Sequence, residues 1–326
     1  MTKMVDASPK MADAGAETVN AAPATPLRPA EVARQYYELT KPRVVALIMF
    51  TAVAGMFLSL PGMPPLPLLL FATLGIGMAA ASGAAMNHLL DADADSVMAR
   101  TRLRPLPAGA INPRRAFAFS VLLGALSMAV LFTLVNALTA LLAFLSLIGY
   151  ALVYTVYLKH ATPQNIVIGG AAGAAPPLLG WCAMTGGLTA DALLLFLIIF
   201  CWTPPHFWAL ALYRSEEYSR AGIPMLPVTH GARHTRLQIL LYTVLLSAVA
   251  LMPFATRFAG WVYLAGALLL NGVFLLHAWR LYRRYSDRRA HRTFVYSIQY
   301  LAMLFTVMLV DHYRAALDSL LARLLG

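Results

Sequence analysis

The sequence predicts an all-α polytopic membrane protein with nine transmembrane helices and a cytoplasmic N-terminus. Three observations predict it. Of the 326 residues, 60% are hydrophobic and 12% are charged, whereas a soluble domain carries about 25% charged residues; mean hydropathy is +0.68. Nine apolar segments each approach the roughly 20 residues needed to cross a bilayer. Lysine and arginine crowd onto alternate loops. A soluble single-core protein, a disordered chain and a disulfide scaffold are excluded on the same grounds. The two cysteines, Cys182 and Cys201, lie inside apolar stretches and read as small packing residues.

Residues 1–34 form an Ala-, Pro- and Thr-rich segment without an apolar run, which predicts a disordered cytoplasmic tail and no cleaved signal peptide. Asp6, Asp13, Glu17 and Glu31 disfavour a mitochondrial transit peptide, because such peptides are poor in acids. The membrane domain takes residues 35–315, and a short C-terminal tail takes 316–326. Its spans are predicted at 44–60, 67–88, 116–135, 138–158, 164–184, 190–212, 237–256, 260–279 and 294–313. The loops after spans 1, 3, 5 and 7 and the C-terminal tail hold only Arg257, Arg314 and Arg323, and the other side holds the remaining 22 of the 25 Lys and Arg residues. Positive loops stay in the cytoplasm, so the N-terminus is inside, the C-terminus is outside and the number of spans is odd. The net charge of +11 is thereby read as topology, with no nucleic-acid partner. The arginines between 280 and 292 suit topology or anionic-lipid binding.

The two longest loops, at about 89–115 and 213–236, share the cytoplasmic side, and both follow helix ends with unusual polar residues. In the first, Asn87, Asp91 and Asp95 are spaced i, i+4, i+8. On a helix they drift only about 40° per step and stand roughly 6 Å apart along one face. Hard oxygen ligands in that array suit Mg²⁺, which completes its shell with water and phosphate oxygens. Asp93 points elsewhere. Arg100 and Arg104 follow with the same spacing, and guanidinium groups grip phosphate oxygens bidentately. A solvated loop helix with internal salt bridges fits this spacing equally well.

The predicted sixth span contains Pro204-Pro205-His206-Phe207-Trp208, and the fifth contains Pro176-Pro177. Paired prolines remove helix hydrogen bonds and predict a break or kink, which inside a membrane is tolerated where it lines a cavity or is buried in protein. His206 reads either as a pocket residue or as a hydrogen-bonded packing histidine. Of the adjacent Glu216 and Glu217, one at most can face a pocket. Lys41, Arg43 and Lys159 stand at span ends and suit either snorkelling or a ring of cations around an anion. Gly169, Gly170 and Gly173 make a small-residue packing face.

These residues carry a family resemblance over about 36–313. The blocks are Leu39-Thr40-Lys41-Pro42-Arg43, Asn87-x₃-Asp91-x₃-Asp95 with Arg100-Thr101-x₂-Arg104-Pro105-Leu106, Tyr154-x₄-Lys159-x₃-Pro163-Gln164-Asn165, Pro205-His206-Phe207-Trp208 and Tyr218-x₃-Gly222-Ile223-Pro224-Met225-Leu226-Pro227. The chain resembles the intramembrane aromatic prenyltransferase superfamily and, within it, the branch that modifies haem. The resemblance implies a nine-helix bundle around a central cavity. It implies that farnesyl diphosphate, haem B and water are converted to haem O and diphosphate. It implies Mg²⁺ held by Asn87, Asp91 and Asp95, with Arg100, Arg104 and Lys159 on the diphosphate and Lys41 and Arg43 as weaker candidates. Tyr154, Phe207 and Trp208 offer aromatic faces to an allylic cation, with His206, Glu217 and Tyr218 as further substrate contacts. The superfamily's second acidic motif is reduced here: Arg214 and Tyr218 stand at its two ends, and Glu216 and Glu217 are the acids left. Two other activities stay open on residues alone, prenylation of another aromatic acceptor such as a quinone precursor, and transport. The implied setting is a bacterial inner membrane, with a mitochondrial inner membrane as the alternative, and the implied partners are haem A synthase or the cytochrome oxidase assembly machinery.

Overall fold

The computed structural model describes residues 28–99 and 101–314. Arg100 and the tail assignments at 1–27 and 316–326 lie outside the described residues. Among those described, regular structure is helical throughout: α1 (Pro29–Leu39), α2 (Pro42–Leu58), α3 (Leu66–Leu90), α4 (Ala92–Val97), α5 (Pro113–Leu134), α6 (Ala137–Ile148), a π-helical stretch (Gly149–Leu158), α7 (Lys159–Ala161), α8 (Asn165–Thr185), α9 (Ala190–Tyr213), α10 (Ser215–Arg220), α11 (Leu226–Thr229), α12 (Gly231–Ala255), α13 (Trp261–Arg283) and α14 (Asp287–His312). A helix satisfies every backbone polar group within its own segment, which lipid requires. Eight spans are long and apolar enough to cross a membrane, with α6, the π-stretch and α7 forming one of them. A ninth is counted when α1 and α2, joined at a bend of 53°, are taken together as one span. The predicted spans therefore correspond one to one with helices, while α1 begins inside the segment assigned to the N-terminal tail.

Local signals set the helix ends. The side chains of Asn112, Asn136, Thr189 and Ser286 accept from backbone N–H groups at the starts of α5, α6, α9 and α14, as N-caps do. Gly186, with φ +66°, closes α8. The helices α8 and α9 are central. Of their apolar stretches 67% is buried, against 22% for α5, which turns Phe117, Leu122 and Phe132 outward as a lipid-facing helix would.

Of the break or kink that the sequence predicts, the break does not occur: α8 and α9 run through Pro176-Pro177 and Pro204-Pro205. One reason is visible. Pro176 cannot donate to the carbonyl of Ala172, and Ser146 Oγ donates to that carbonyl instead, at 3.1 Å. Such replacement partners let proline persist in membrane helices. The carbonyl side of Pro177 lies against Gly55, where a Cβ would come within 2.1 Å of its oxygen. The departure from α-geometry falls elsewhere, in the π-helical stretch before Lys159.

One end of the bundle carries the loops that follow α3 and α9. At the opposite end Asp311 accepts from the backbone N–H groups of Val262 and Tyr263, both at 3.1 Å, and fastens α14 to the start of α13. Tyr313 Oη donates to the carbonyl of Phe57 at 2.9 Å.

Candidate active site

The helix α3 ends at Leu90, and Asp91 occupies the joint before α4. Asn87, Asp91 and Asp95 are therefore not on one straight helix, as their spacing predicted. The helical ladder nevertheless continues across the joint: Asp91 N–H donates to Asn87 O at 3.0 Å and Asp95 N–H to Asp91 O at 2.8 Å. The i, i+4 register survives, and all three side chains are buried, at 4–6% exposure. Asp93 turns outward.

Three cations close on this face. Lys159 Nζ stands 2.6 Å from Asp91 Oδ1. Arg104 Nη1 donates to Asp95 Oδ2 at 2.5 Å, its loop tied down by Thr101 Oγ1 donating to Asp95 O at 2.9 Å. Lys41 Nζ donates to Asn87 Oδ1. Lys41 sits in the corner between α1 and α2 with φ +49° and ψ +59°, a left-handed conformation that costs a non-glycine residue energy and that clusters at functional sites. Burial, and then the Arg104 guanidinium, lower its amine to about 7, since desolvation and like charge both disfavour the ammonium form. Two carboxylates thus face three basic side chains in one corner, and an anion added there would favour the ammonium form of Lys41.

The π-helical stretch supplies the opposite wall. A π-turn shifts the side-chain register by one residue and is frequent at functional sites. Thr155 Oγ1 accepts from Asn87 Nδ2 at 3.2 Å, and the same amide donates to Asp91 Oδ2 at 2.9 Å. Tyr150 and Tyr154 stack with centroids 5.7 Å apart. Gly169 lies directly behind the Tyr154 ring: a Cβ there would come within 2.1 Å of it. Asn165, fully buried, donates to the Lys159 carbonyl at 3.2 Å and holds its turn. Tyr218 comes within electrostatic reach of Tyr154, so the second loop approaches the same corner.

Not every predicted residue arrives. Arg43 is exposed and makes no contact with the cluster. Glu217 pairs with Arg214 on its own short helix, and Glu216 points outward. Phe207 is half-exposed, and Trp208, at 1% exposure, lies in an apolar core with Met98, Ile223, Met225 and Leu226. That core joins the first loop to the second and explains the Gly-Ile-Pro-Met-Leu-Pro block as packing. His206 faces α14. Its ring stacks on Trp202 at 4.2 Å and Phe294 at 4.7 Å, and Nδ1 lies 2.7 Å from Ser297 Oγ. Ser297 Oγ donates to the Phe294 carbonyl at 2.6 Å, so it accepts from Nδ1–H, and the lone pair is on Nε2. Lys41, Thr155, Tyr150 and Ser297 are the residues whose places sequence reasoning ranked low or missed. The proline-bounded Lys41-Pro42 corner was the only one of these with a local signal.

The residues fit a magnesium ion as a partial shell. Asp91 Oδ1 is buried with the Lys159 ammonium 2.6 Å away, and amide and carboxylate oxygens are the hard donors Mg²⁺ takes alongside water and phosphate. Among the described residues no three Asp, Glu, His or Cys side chains assemble into a closed metal cage.

Comparison with known proteins matches this geometry to relatives. The model of the UbiA prenyltransferase family matches residues 48–306. The chain is 59% identical over 280 residues to the protoheme IX farnesyltransferase of Nitrosospira multiformis and 58% identical to that of Methylococcus capsulatus, in each case over 86% of this chain and 94% of the relative. Among solved structures, digeranylgeranylglyceryl phosphate synthase aligns with a TM-score of 0.74 at 18% identity, over 87% of this chain and 99% of that one. A UbiA homologue from Archaeoglobus fulgidus, bound to DMAPP and Mg²⁺, aligns at 0.64 and 18% identity, over 84% and 99%. Fold, span order and sequence agree: this chain belongs to the UbiA prenyltransferase family.

Proposed function

We propose that the chain transfers the farnesyl group of farnesyl diphosphate to a vinyl group of haem B with addition of water, giving haem O and diphosphate. The observation that carries this reading is the near-60% identity, across 86% of the chain, to relatives that bear the name protoheme IX farnesyltransferase. The pairing of two buried carboxylates with three basic side chains supports it, because an allylic diphosphate leaves as an anion whose charge must be stabilised as it develops. A bound Mg²⁺ would supply Lewis-acid neutralisation of that leaving group, with Asn87, Asp91 and Asp95 to hold it. Lys41, Lys159 and Arg104 neutralise the diphosphate oxygens, a role that the family resemblance also gives to Arg100. The stacked rings of Tyr150 and Tyr154 are the aromatic groups proposed to stabilise an allylic cation, and the buried surroundings keep water away until the vinyl carbon has reacted. His206 is held as the Nδ1–H tautomer by Ser297 and is proposed only as a haem contact; the proton released when water captures the cation formed on the haem side chain passes to solvent. The setting is a bacterial inner membrane, and haem O passes to haem A synthase or the oxidase assembly machinery.

The test is direct. Protein in lipid, given haem B, farnesyl diphosphate and Mg²⁺, should yield a haem heavier by farnesyl plus water, and a chelator should prevent it. Folded protein that leaves haem unmodified but prenylates a quinone precursor would overturn the acceptor assignment. Arg104→Lys should weaken diphosphate binding by about tenfold, since a point charge cannot replace a bidentate fork; unchanged affinity by calorimetry would remove Arg104 from the anion site. Gly169→Ala should cut turnover more than tenfold by displacing the Tyr154 ring. Gly173→Ala, whose added Cβ would meet nothing within 4 Å, should leave turnover unchanged.

A further inference from the structure

At the same end of the bundle, but between α12 and α13, a cavity of about 310 Å³ is lined by Arg233, Arg236, Tyr282 and Arg283. Its charge is uncompensated. Among the described residues, no carboxylate comes within ion-pair distance of these three arginines. The acid nearest in sequence, Asp287, already accepts from Tyr285 Oη at 2.6 Å. Arg236 is held in place: Nε donates to Ala232 O at 3.1 Å, Nη1 to Tyr282 O at 3.2 Å, and its guanidinium lies 5.6 Å from the Tyr285 ring centroid. Arginines added only to orient a membrane protein need no such scaffold, because the topology rule counts charge and not geometry.

Apolar surface continues from the cavity along both helices. Arg233 lies in line with Leu237 and Leu241 at helical spacing, and these leucines are 36% and 51% exposed. On α13, Arg283 lies over the Trp279 ring at 5.6 Å, and Trp279 itself is 48% exposed. Each helix thus presents a cation at its end and an open apolar stripe below it, which is the shape of an amphiphile with an anionic head. Guanidinium groups bind phosphate oxygens through paired N–H donors, and clustered arginines at a membrane surface attract anionic lipid.

We propose that this cavity is a binding site for the phosphodiester headgroup of an anionic phospholipid, whose acyl chains lie along the apolar stripes of α12 and α13. The site does not overlap the diphosphate cluster and stands independently of the reaction. The test uses the purified full chain in a mild detergent, titrated with phosphatidylglycerol and read by native mass spectrometry. One saturable phosphatidylglycerol is expected, bound at least tenfold more weakly by Arg233→Gln/Arg283→Gln and unchanged in Arg288→Gln/Arg289→Gln, which removes equal charge outside the cavity. Phosphatidylcholine should not replace it, and inorganic phosphate at the same concentration should not displace it. Arg233→Lys, which keeps charge and disturbs packing least, should bind with intermediate strength and decides the matter if the double variant misfolds. Equal weakening by both double variants, equal retention of phosphatidylcholine, displacement by inorganic phosphate, or full affinity in Arg233→Lys would each overturn the proposal.

Discussion

Asp91→Asn should lower turnover by about a thousandfold or more while the protein still folds and inserts. The expected size follows from the loss of a preorganised electrostatic group, which costs about 10²–10³ in rate, compounded here because Asp91 touches two other members of the site. It holds Lys159 at 2.6 Å and accepts from Asn87 at 2.9 Å. Its removal leaves the Lys159 ammonium buried without its counter-charge, which typically costs about 3–5 kcal/mol and shows as a lower unfolding temperature. The proposed metal site adds a second readout: the Mg²⁺ concentration for half-maximal activity should rise steeply in the variant. Unaltered turnover, or a wild-type Mg²⁺ response, would remove Asp91 from the proposed metal set. Steady-state assays over a Mg²⁺ series, with a thermal melt beside them, measure all three effects.

Gly180→Ala should strongly destabilise the chain. A Cβ at Gly180 would come within 2.0 Å of the Ala52 carbonyl oxygen and 3.1 Å of the Met56 nitrogen, both backbone atoms of α2. Side chains swing aside, but the backbone of a packed helix does not, so α2 and α8 must separate along a crossing that Gly55 also lines from the other side. Overpacking of this kind costs about 3 kcal/mol. The crossing also sets where α2 begins, and hence where Lys41 reaches Asn87, so activity should fall with stability. Gly187→Ala, which has open space around it, is the matched control and should melt with the wild type. Identical melting of the two variants in detergent would mean that the crossing is looser than the packing implies.

How much of this was legible beforehand depends on the range of the physics. Asn87, Asp91 and Asp95 share a face because the helical repeat is local, and the repeat survived even a break at Asp91 that the spacing did not foretell. Asp93 pointed outward for the same reason. Lys159 was placed by its position at a span end. Thr155 was invisible because it reaches Asn87 across 68 residues and through a π-turn, whose one-residue shift no local pattern announces. The proline pairs misled in the opposite sense. Their missing donors were read correctly, but the partner at Ala172, Ser146 Oγ, comes from a different helix. Trp208 looked like a pocket aromatic and is core, because residue type alone does not say which side of α9 meets a neighbour.

The sequence by itself determined that the chain lives in a membrane, where its helices run and which oxygen ligands stand in register, since hydrophobic length and helical spacing are properties of short segments. Tertiary structure alone decided that Lys41, Lys159 and Arg104 converge on those oxygens, that Arg43, Phe207 and Trp208 do not, and that Gly169 seats Tyr154. Those outcomes depend on which helices cross and how closely, and a crossing is set by packing between residues far apart in the chain.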